Sequence, residues 1–201
     1  FWNFVYKKHT QFSVENITID NEDNITIQEN DERIFRFRLH RLADLIEKIW
    51  LKINIPSIYN YDNKLKFSWI KNLGCSIIKY ARLYFDDNLI EEIDGDYLIM
   101  YNELYHNETE SEYFNNITGN VDILHSPEDF FTSNISLKND TYLQKDFNSP
   151  PSIPKYELYI PLLFSFFRNN HYLPIISLRN SEIFVEIQLR PLSELYIIHP
   201  T

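Results

Sequence analysis

The chain has 201 residues, and 44% of them are hydrophobic, which is enough to build one domain around a core and disfavours global disorder. Its 29 acidic side chains against 19 Lys and Arg leave a formal net charge of −10. Because nonspecific affinity for nucleic acid comes mostly from Lys and Arg, this charge argues against nucleic acid as a direct partner.

The first predicted elements are an acidic loop and two strands. Residues 20–32 are acidic and Asn-rich, which is typical of an exposed loop or hairpin. Residues 33–39 alternate aromatic with arginine side chains, and this period of two predicts a strand with one wet face. Residues 48–55 alternate in the same way, and Pro56 ends that strand.

A third strand, a turn and a helix follow. Residues 77–85 alternate again and predict a strand with Ile78 on its outer face. The polar cluster 86–88 predicts a turn after it. Residues 93–104 carry apolar side chains at helical spacing, and Asp94 suits the positive end of a helix dipole, so a single short helix is predicted there.

The second half of the chain begins with a long polar stretch. Residues 106–155 are far longer than an ordinary connection of about 4–6 residues and predict a surface-exposed loop excursion. Short strands are predicted within it at 113–114 and 121–124. Residues 158–167 are almost wholly apolar and predict a buried strand, and 183–189 alternate with a period of two.

These elements indicate an all-β fold of one domain over residues 1–201, in which antiparallel sheets pack as a sandwich with a single short helix. No apolar run reaches the roughly 18 residues that a transmembrane helix needs, so no membrane-spanning segment is expected. The chain starts at Phe1 without an initiator Met, and we expect it to be a segment of a longer protein.

The residues that could carry chemistry form no catalytic or metal-binding pattern. The 6 histidines are scattered, whereas a metal-dependent jelly-roll enzyme needs clustered histidines and a carboxylate. There is no Gly-x-Ser-x-Gly elbow, and Cys75, the only cysteine, is predicted to be a buried, inert thiol at the start of a strand. We therefore expect no enzyme activity, no cofactor and no metal.

Asn-x-Ser/Thr sequons recur in the polar stretch. The candidate glycosylation sites there are Asn107, Asn116, Asn134 and Asn139. An Asn-rich composition explains the same excess, so both interpretations stay open.

Several motifs, in a fixed order over nearly the whole chain, resemble one family. Residues 6–15 are similar to an opening aromatic, basic and Thr-x-Phe stretch, and 69–74 to a Trp-x-x-x-(Ile/Leu)-Gly segment. Residues 102–104 (Asn-Glu-Leu) and 119–121 (Gly-Asn-Val) come next. The most specific run is Leu-Tyr-Ile-Pro-Leu, Phe-x-Arg-Asn, Leu-Pro-Ile-Ile and Arg-Pro, between residues 158 and 191.

In this order the motifs resemble the major capsid proteins of nucleocytoplasmic large DNA viruses. The resemblance implies an eight-stranded antiparallel jelly roll, the first of two barrels in each subunit, with long loop insertions. The motif positions expected to be structural are Trp69, Gly74, Asn102, Glu103, Leu104, Pro161, Arg168, Asn169, Pro174, Arg190 and Pro191. The chain ends where a second barrel is expected to begin.

The resemblance also implies a function. We expect a structural subunit that self-assembles into homotrimeric, pseudo-hexagonal capsomers of an icosahedral shell. The expected contacts are with neighbouring capsomers and minor capsid proteins, and the expected location is the virion, assembled in the host cytoplasm. Large aromatics on otherwise polar strand faces are candidates for inter-barrel or subunit contacts, or alternatively for packing beneath loops of the same domain: Trp50, Tyr80, Tyr84 and Phe184.

Three other functions remain as alternatives. A divergent minor capsid paralogue would share the motifs. A carbohydrate-binding or receptor-binding jelly roll would need exposed aromatics beside polar groups in one groove. A metal-dependent jelly-roll enzyme would need a stoichiometric ion.

Overall fold

A computed structural model describes residues 11–20, 33–59, 65–126, 151–168 and 171–200. The strands among them are β1 (Ile34–Arg38), β2 (Leu45–Ile46), β3 (Trp50–Ile55), β4 (Leu65–Trp69), β5 (Ile78–Phe85), β6 (Asn88–Ile93), β7 (Tyr156–Pro161), β8 (Leu173–Pro174), β9 (Ile183–Leu189) and β10 (Tyr196–Pro200). The helices are α1 (Leu73–Ser76), α2 (Gly95–Tyr105), α3 (Glu108–Thr118) and α4 (Asp122–His125). Short 3₁₀ turns lie at Ser165–Phe167, Ile175–Ser177 and Leu192–Glu194.

The largest sheet has four antiparallel strands in the order β1-β9-β5-β6. The apolar residues of the alternating pattern in each strand lie on the inner face of the sheet, and Leu83 and Val185 among them are buried. The other residues of the pattern, including Arg36 and Arg38, face outward and are exposed. The alternation in the sequence therefore predicted β1, β5 and β9 and the side that each presents to the core.

The other strands pair in twos. β3 runs antiparallel to β7, β2 to β8, and β4 to β10. The predicted strand over 48–55 is confirmed as β3 and the predicted turn at 86–88 as the β5–β6 connection, where Asp86 takes a left-handed φ of 55°. The predicted strand over 158–167 is only partly confirmed, since β7 ends at Pro161 and the chain then turns through a short 3₁₀ segment.

One core runs beneath all these elements. Its largest fully buried side chains include Phe164, Leu158 and Ile160, which follow one another along β7 and the segment after it. Burying a side chain of this size contributes about 1.5–3 kcal/mol of transfer free energy. The segment after β7 is therefore part of the core although it is not a strand.

Ile78 does not lie on the outer face of β5 as the alternation predicted. It is fully buried, because the pairing of β5 with β9 shifts register between Ile78 and Tyr80. Ile77 before it, the C-cap of α1, is buried as well. A β-bulge places two successive residues against one on the partner strand, and a period-two pattern does not reveal it.

The predicted helix over 93–104 is confirmed as α2. Asp94 is its N-cap, and its carboxylate accepts a hydrogen bond from the Tyr97 N–H at 2.7 Å. Ile93, however, is the last residue of β6, so the helix starts two residues later than predicted.

The expectation of a single helix followed by a loop over 106–155 is wrong for its first part. Residues 108–118 and 122–125 are α3 and α4, so the short strands predicted at 113–114 and 121–124 do not exist. A capping box starts α3: Asn107 Oδ1 accepts from Glu110 N, and Glu110 accepts from Asn107 N. Gly119, with φ 76°, ends it.

The polarity of α3 explains why the helix was missed. Its sequence carries Glu, Asn, Ser and Thr on most sides, and only Phe114 and Thr118 are buried among its residues. A helix with so narrow an apolar stripe has the composition of a loop. The eight strands implied by the resemblance also differ from the ten short strands that the described residues form.

Candidate interaction surface

Three of the four candidate contact residues lie together on the outer face of the four-stranded sheet. Tyr84 on β5 is directly opposite Phe184 on β9, and Tyr80 lies two rows away on the same face of β5, opposite Gln188. All three aromatic rings are half-buried. We call this outer surface of β1, β9, β5 and β6 the charged sheet face, because ionic side chains separate its aromatic rings.

The ionic side chains form one row across the sheet. In register from β1 to β6 the row is Arg36, Glu186, Arg82 and Glu92. Arg82 joins the two acids, with Nε 2.5 Å from Glu92 and Nη1 3.6 Å from Glu186. Opposite charges in directly facing positions stabilise a sheet by roughly 0.2–1 kcal/mol a pair.

Arginine side chains also stack on the aromatic rings. The Arg36 guanidinium carbon is 4.3 Å from the centre of the Phe184 ring and 5.6 Å from that of Tyr84. That of Arg82 is 3.8 Å from the centre of the Tyr80 ring. Burial raises the pKa of Tyr80, although the charge of Arg82 opposes this rise. The charged sheet face is thus a fixed array of rings and paired charges, suited to contact another protein surface.

Trp50, the fourth candidate, lies elsewhere. It is at the start of β3, 46% exposed and opposite Pro161 of β7. Two positions on, Lys52 faces Tyr159 and makes a 3.1 Å ion pair with Glu157. Tyr159 and Glu157 raise the pKa of Lys52, and Lys52 in turn lowers the pKa of Glu157. The molecule therefore has two separate aromatic and charged strand surfaces.

Among the motif positions, several residues hold strand ends. Trp69, at the end of β4, is buried, pairs with Tyr196 of β10 and packs edge-on against Phe67 at 5.1 Å. Pro161 ends β7, and Pro174 pairs with Leu45 in the short β2–β8 ladder. A proline has no N–H to donate, so both positions suit the margin of a sheet.

Arg168 fastens the segment after β7 to β6. Glu91 of β6 accepts hydrogen bonds from Ser165 N at 2.8 Å and Ser165 Oγ at 2.6 Å. Arg168 Nη2 lies 3.4 Å from the same carboxylate, and its guanidinium also lies over the Tyr97 ring, 5.7 Å from its centre. These contacts agree with the structural role predicted for the arginine of this motif, which stays a prediction. Asn169 lies outside the described residues.

Arg190 and Pro191 mark the end of β9. The N–H of Arg190 donates to the Ile77 carbonyl at 2.9 Å, and its guanidinium approaches Asp96 of α2 at 3.9 Å. Pro191 precedes the 3₁₀ turn at Leu192–Glu194. These contacts fasten the last large strand to the helices.

Asn102 joins α2 to α3. Its side chain is buried, its Nδ2 donates to Ser111 Oγ at 3.0 Å, and its Oδ1 lies 2.8 Å from His106 Nδ1. Glu103 and Leu104, the other two residues of the motif, are exposed, Leu104 by 76%. Asn102 thus makes buried contacts between the two helices, and the structural role expected of the three motif residues stays a prediction.

Gly74 lies where α1 meets α3. A Cβ atom there would collide with the carbonyl oxygen of Thr118, so no larger residue fits without a shift of the backbone. Next to it, Cys75 is buried in α1, not in a strand as predicted, and burial raises the pKa of its thiol to about 12. The thiol is inert at neutral pH.

Two of the four candidate sequons, those of Asn107 and Asn116, lie in the described residues, and they differ in accessibility. Asn107 is exposed at the start of α3, and Thr109 of the same sequon is exposed as well. In the Asn116 sequon, Thr118 is buried and its hydroxyl donates to the Phe114 carbonyl at 2.7 Å. Asn134 and Asn139 lie outside the described residues.

Within the described parts of the chain no group of three or more His, Cys, Asp or Glu side chains could hold a metal ion. The helices described there are also too short or too polar to cross a membrane. Sequence reasoning missed Glu91 as the acceptor for Ser165 and Arg168, because no local pattern pairs residues so far apart along the chain.

The comparisons with known proteins agree on one family. The sequence profile described as "Major capsid protein N-terminus" matches residues 1–201. The chain is 29% identical to "Probable capsid protein 4" of Acanthamoeba polyphaga mimivirus over 100% of its length, and 23% identical to the "Major capsid protein" of Phaeocystis pouchetii virus over 96%. It spans only 35% and 37% of those relatives.

Solved structures share the fold. The chain matches the "Faustovirus major capsid protein" with a TM-score of 0.55 at 10% identity, over 90% of this chain and 43% of that one. It matches PBCV-1 VP54, whose crystal structure was fitted into a reconstruction of the virophage Sputnik, with a TM-score of 0.56 at 13% identity, over 87% and 38% of the two chains. With a profile match along its whole length, the chain belongs to the family of major capsid protein N-terminal regions.

Proposed function

We propose that this chain is a wall-forming part of an icosahedral viral capsid and acts by self-association. The observation that carries the proposal is the family match over every residue of the chain. In this proposal the chain is the first, eight-stranded jelly roll of a two-barrel subunit, and three subunits form a pseudo-hexagonal capsomer. The capsomers contact one another and minor capsid proteins in the virion shell, after assembly in the host cytoplasm.

The physical character of the chain supports an architectural role. Its conspicuous polar side chains, such as Asn102, Glu91 and Arg82, are engaged in contacts that join one element to another. The charged sheet face offers paired charges and aromatic rings in fixed positions. The net charge of −10 disfavours direct contact with nucleic acid. No catalytic step follows from this arrangement.

Native mass spectrometry of the complete gene product that contains this chain tests the proposal. The expected result is a trimer that persists on dilution to micromolar concentration. A protein that stays monomeric over the whole accessible concentration range would overturn the proposal.

One observation favours a second candidate, a carbohydrate-binding or receptor-binding module. Trp50 and Tyr159 are exposed on the β3–β7 surface beside Lys52 and Glu157, and aromatic rings next to polar groups are what a sugar requires. Glycan-array binding that is lost in Trp50→Ala, by a protein that does not trimerise, would favour this candidate.

Glycosylation is a separate proposal, in which Asn107 is an acceptor and Asn116 is not. A transferase must reach the hydroxyl of the sequon, and that of Thr118 is buried and bonded. Peptide mapping of protein from infected cells is expected to find glycan on Asn107 and none on Asn116. A glycan on Asn116 would contradict it.

A further inference from the structure

The four-stranded sheet has two open edges. β1 pairs only with β9, and β6 only with β5, so no strand in the described part of the chain lies beyond either of them. An unpaired edge presents backbone N–H and C=O groups that another strand can bind.

The backbone groups free on β1 can be identified from its pairing. Leu39 N donates to Ile183 O at 2.9 Å, and Arg33 O accepts from Leu189 N at 3.2 Å. In an antiparallel pair, residues that bond to the partner alternate with residues that do not. The N–H and C=O groups of Arg36 and its neighbours two residues away therefore point away from β9, toward the open edge.

The same alternation applies at the other edge. Asp86 N donates a hydrogen bond to Glu182 O at 2.7 Å. At that end of β5 the backbone groups of the even-numbered residues therefore bond to β9, and those of the odd-numbered residues bond to β6. Leu83 therefore bonds to its register partner Glu91. Glu92, the next residue, directs its backbone groups to the open side.

The charges of the ionic row alternate strand by strand and end with opposite signs. The row runs Arg36, Glu186, Arg82, Glu92, so it is positive at the β1 edge and negative at the β6 edge. Both terminal side chains reach solvent, Arg36 with 45% and Glu92 with 46% of its side chain exposed. A basic strand beside β6 would continue the alternation by one more step.

Strand direction is compatible with such a continuation. Each strand of the sheet runs antiparallel to its neighbour, so β1 and β6 run in opposite directions. A second copy placed beside the first in the same orientation would bring its β1 antiparallel to β6, the direction of every other pair in the sheet.

We propose that the β6 edge binds β1 of a second copy of this chain, so that the two sheets join with Glu92 of one copy beside Arg36 of the other. The inference rests on the proposed function, self-association, and names the surface that carries it. The contact joins two different surfaces and is therefore heterologous.

Charged residues on an edge strand can also prevent unwanted strand pairing. The signs of the charges show which pairings are prevented and which are favoured. Two β1 edges would bring arginine against arginine, and two β6 edges glutamate against glutamate. Like charges in facing positions repel each other. Only the pairing of β1 with β6 brings opposite charges together. Arg36 and Glu92 therefore disfavour a contact between two identical edges and favour the contact between β1 and β6.

Charge reversal in the complete gene product tests the pairing. Arg36→Glu alone and Glu92→Arg alone are each expected to raise the dissociation constant of the assembly about tenfold or more, because each places like charges at the contact. The double variant R36E/E92R restores opposite signs and is expected to recover most of the affinity. Lys71→Glu, the matched control at an exposed lysine in the turn before α1, is expected to leave association unchanged. Thermal melting of each variant shows whether it still folds.

Cysteine cross-linking supplies a second readout. The double variant R36C/E92C is expected to give covalent dimers and larger species on mild oxidation, whereas R36C/K71C gives none. A disulfide within one chain is ruled out, because β1 and β6 are three strand spacings, roughly 14 Å, apart. The native Cys75 is buried and does not interfere.

The outcomes distinguish this inference from the proposed function. If the protein assembles, but single reversals do not weaken the assembly and R36C/E92C does not cross-link, the edge pairing is wrong while self-association stands. If the single reversals weaken assembly and the double variant does not recover it, the pairing is also wrong. A wild-type protein that stays monomeric overturns both proposals.

Discussion

The charged sheet face and the packed helices α1 to α3 place their polar side chains in opposite ways. On the sheet face the charges keep partial contact with solvent and pair across strands, as Arg82 does with Glu92 and Glu186. Between the helices, Asn102 and Thr118 are buried and their hydrogen bonds are internal. Removing the hydrogen-bond partner of a buried polar group lowers the free energy of unfolding considerably, whereas exposed ion pairs contribute little to it. The polar contacts between the helices therefore stabilise the fold, whereas the charges of the sheet face remain available for the contact proposed above.

The largest effect that this comparison predicts is in the core beneath α2. Leu98 is fully buried, and Leu98→Ala is expected to lower the free energy of unfolding by about 2–5 kcal/mol because it leaves a cavity. Leu104→Ala, on the same helix but 76% exposed, is the matched control and is expected to change it by less than about 0.5 kcal/mol. Urea denaturation with an unchanged m-value measures both. Equal losses would show that α2 does not pack as described.

The next effect concerns the buried amide of Asn102. Asn102→Ala removes the hydrogen bond to Ser111 and leaves His106 Nδ1 without the Asn102 Oδ1 beside it. It is expected to lower the free energy of unfolding by about 1–3 kcal/mol. Glu103→Ala, next to it in the chain and exposed, serves as the control in the same urea titration. A loss no larger than that of the control would mean that the motif asparagine is not a structural link between α2 and α3.

A smaller effect is expected on the sheet face. Arg82→Gln breaks two ion pairs and a ring contact, yet it is expected to cost only about 1 kcal/mol, because the groups keep partial contact with solvent. The difference from wild type is expected to shrink in high salt, which screens exposed charges. If Arg82→Gln lowered the free energy of unfolding by more than Asn102→Ala does, the sheet face would stabilise the fold more than the buried polar contacts between the helices, which would contradict the comparison.

The smallest effect is on the ionisation of Cys75. Burial raises the pKa of this thiol to about 12, so the folded state keeps it protonated where the unfolded chain, with a thiol pKa of about 8.5, ionises. Ionisation of the thiol thus favours the unfolded state. The stabilising effect of keeping the thiol protonated in the folded protein is complete below pH 8, and the free energy of unfolding falls at more alkaline pH. Alkylation by iodoacetamide at pH 8.5 is expected to be slow in the native protein and fast in urea. Labelling of the native protein at the unfolded rate would show that the site is open.

The strands and helices differed in how far the sequence predicted them. β1, β3, β5 and β9 were predicted because alternation is local and one face of each is buried. The ladder of β4 with β10 joins segments that are far apart along the chain, and no local pattern indicates such a pairing.

The helix α3 was missed although its ends carried a signal. Asn107 with Glu110, and then Gly119, are the start and stop of a short helix, but the polar residues between them outweighed these signals. Tertiary contacts of Phe114 and Thr118 stabilise the helix, and they involve residues far along the chain.

The candidate surface was predicted in part. Alternation assigned Tyr80, Tyr84 and Phe184 to outer strand faces, but only the register of β5 with β9 brings them together. It likewise could not reveal that Trp50 lies on a different sheet. Register depends on the whole fold, so the grouping of these residues is a result of the structure alone.

Imaging of particles formed by the complete gene product tests the central claim most directly, because a shell component must form regular arrays of itself. The predicted result is trimeric capsomers that pack in a hexagonal lattice or close into shells, with the fold described for this chain fitting each subunit. Dispersed single subunits at every concentration, in a protein that melts cooperatively, would contradict the claim.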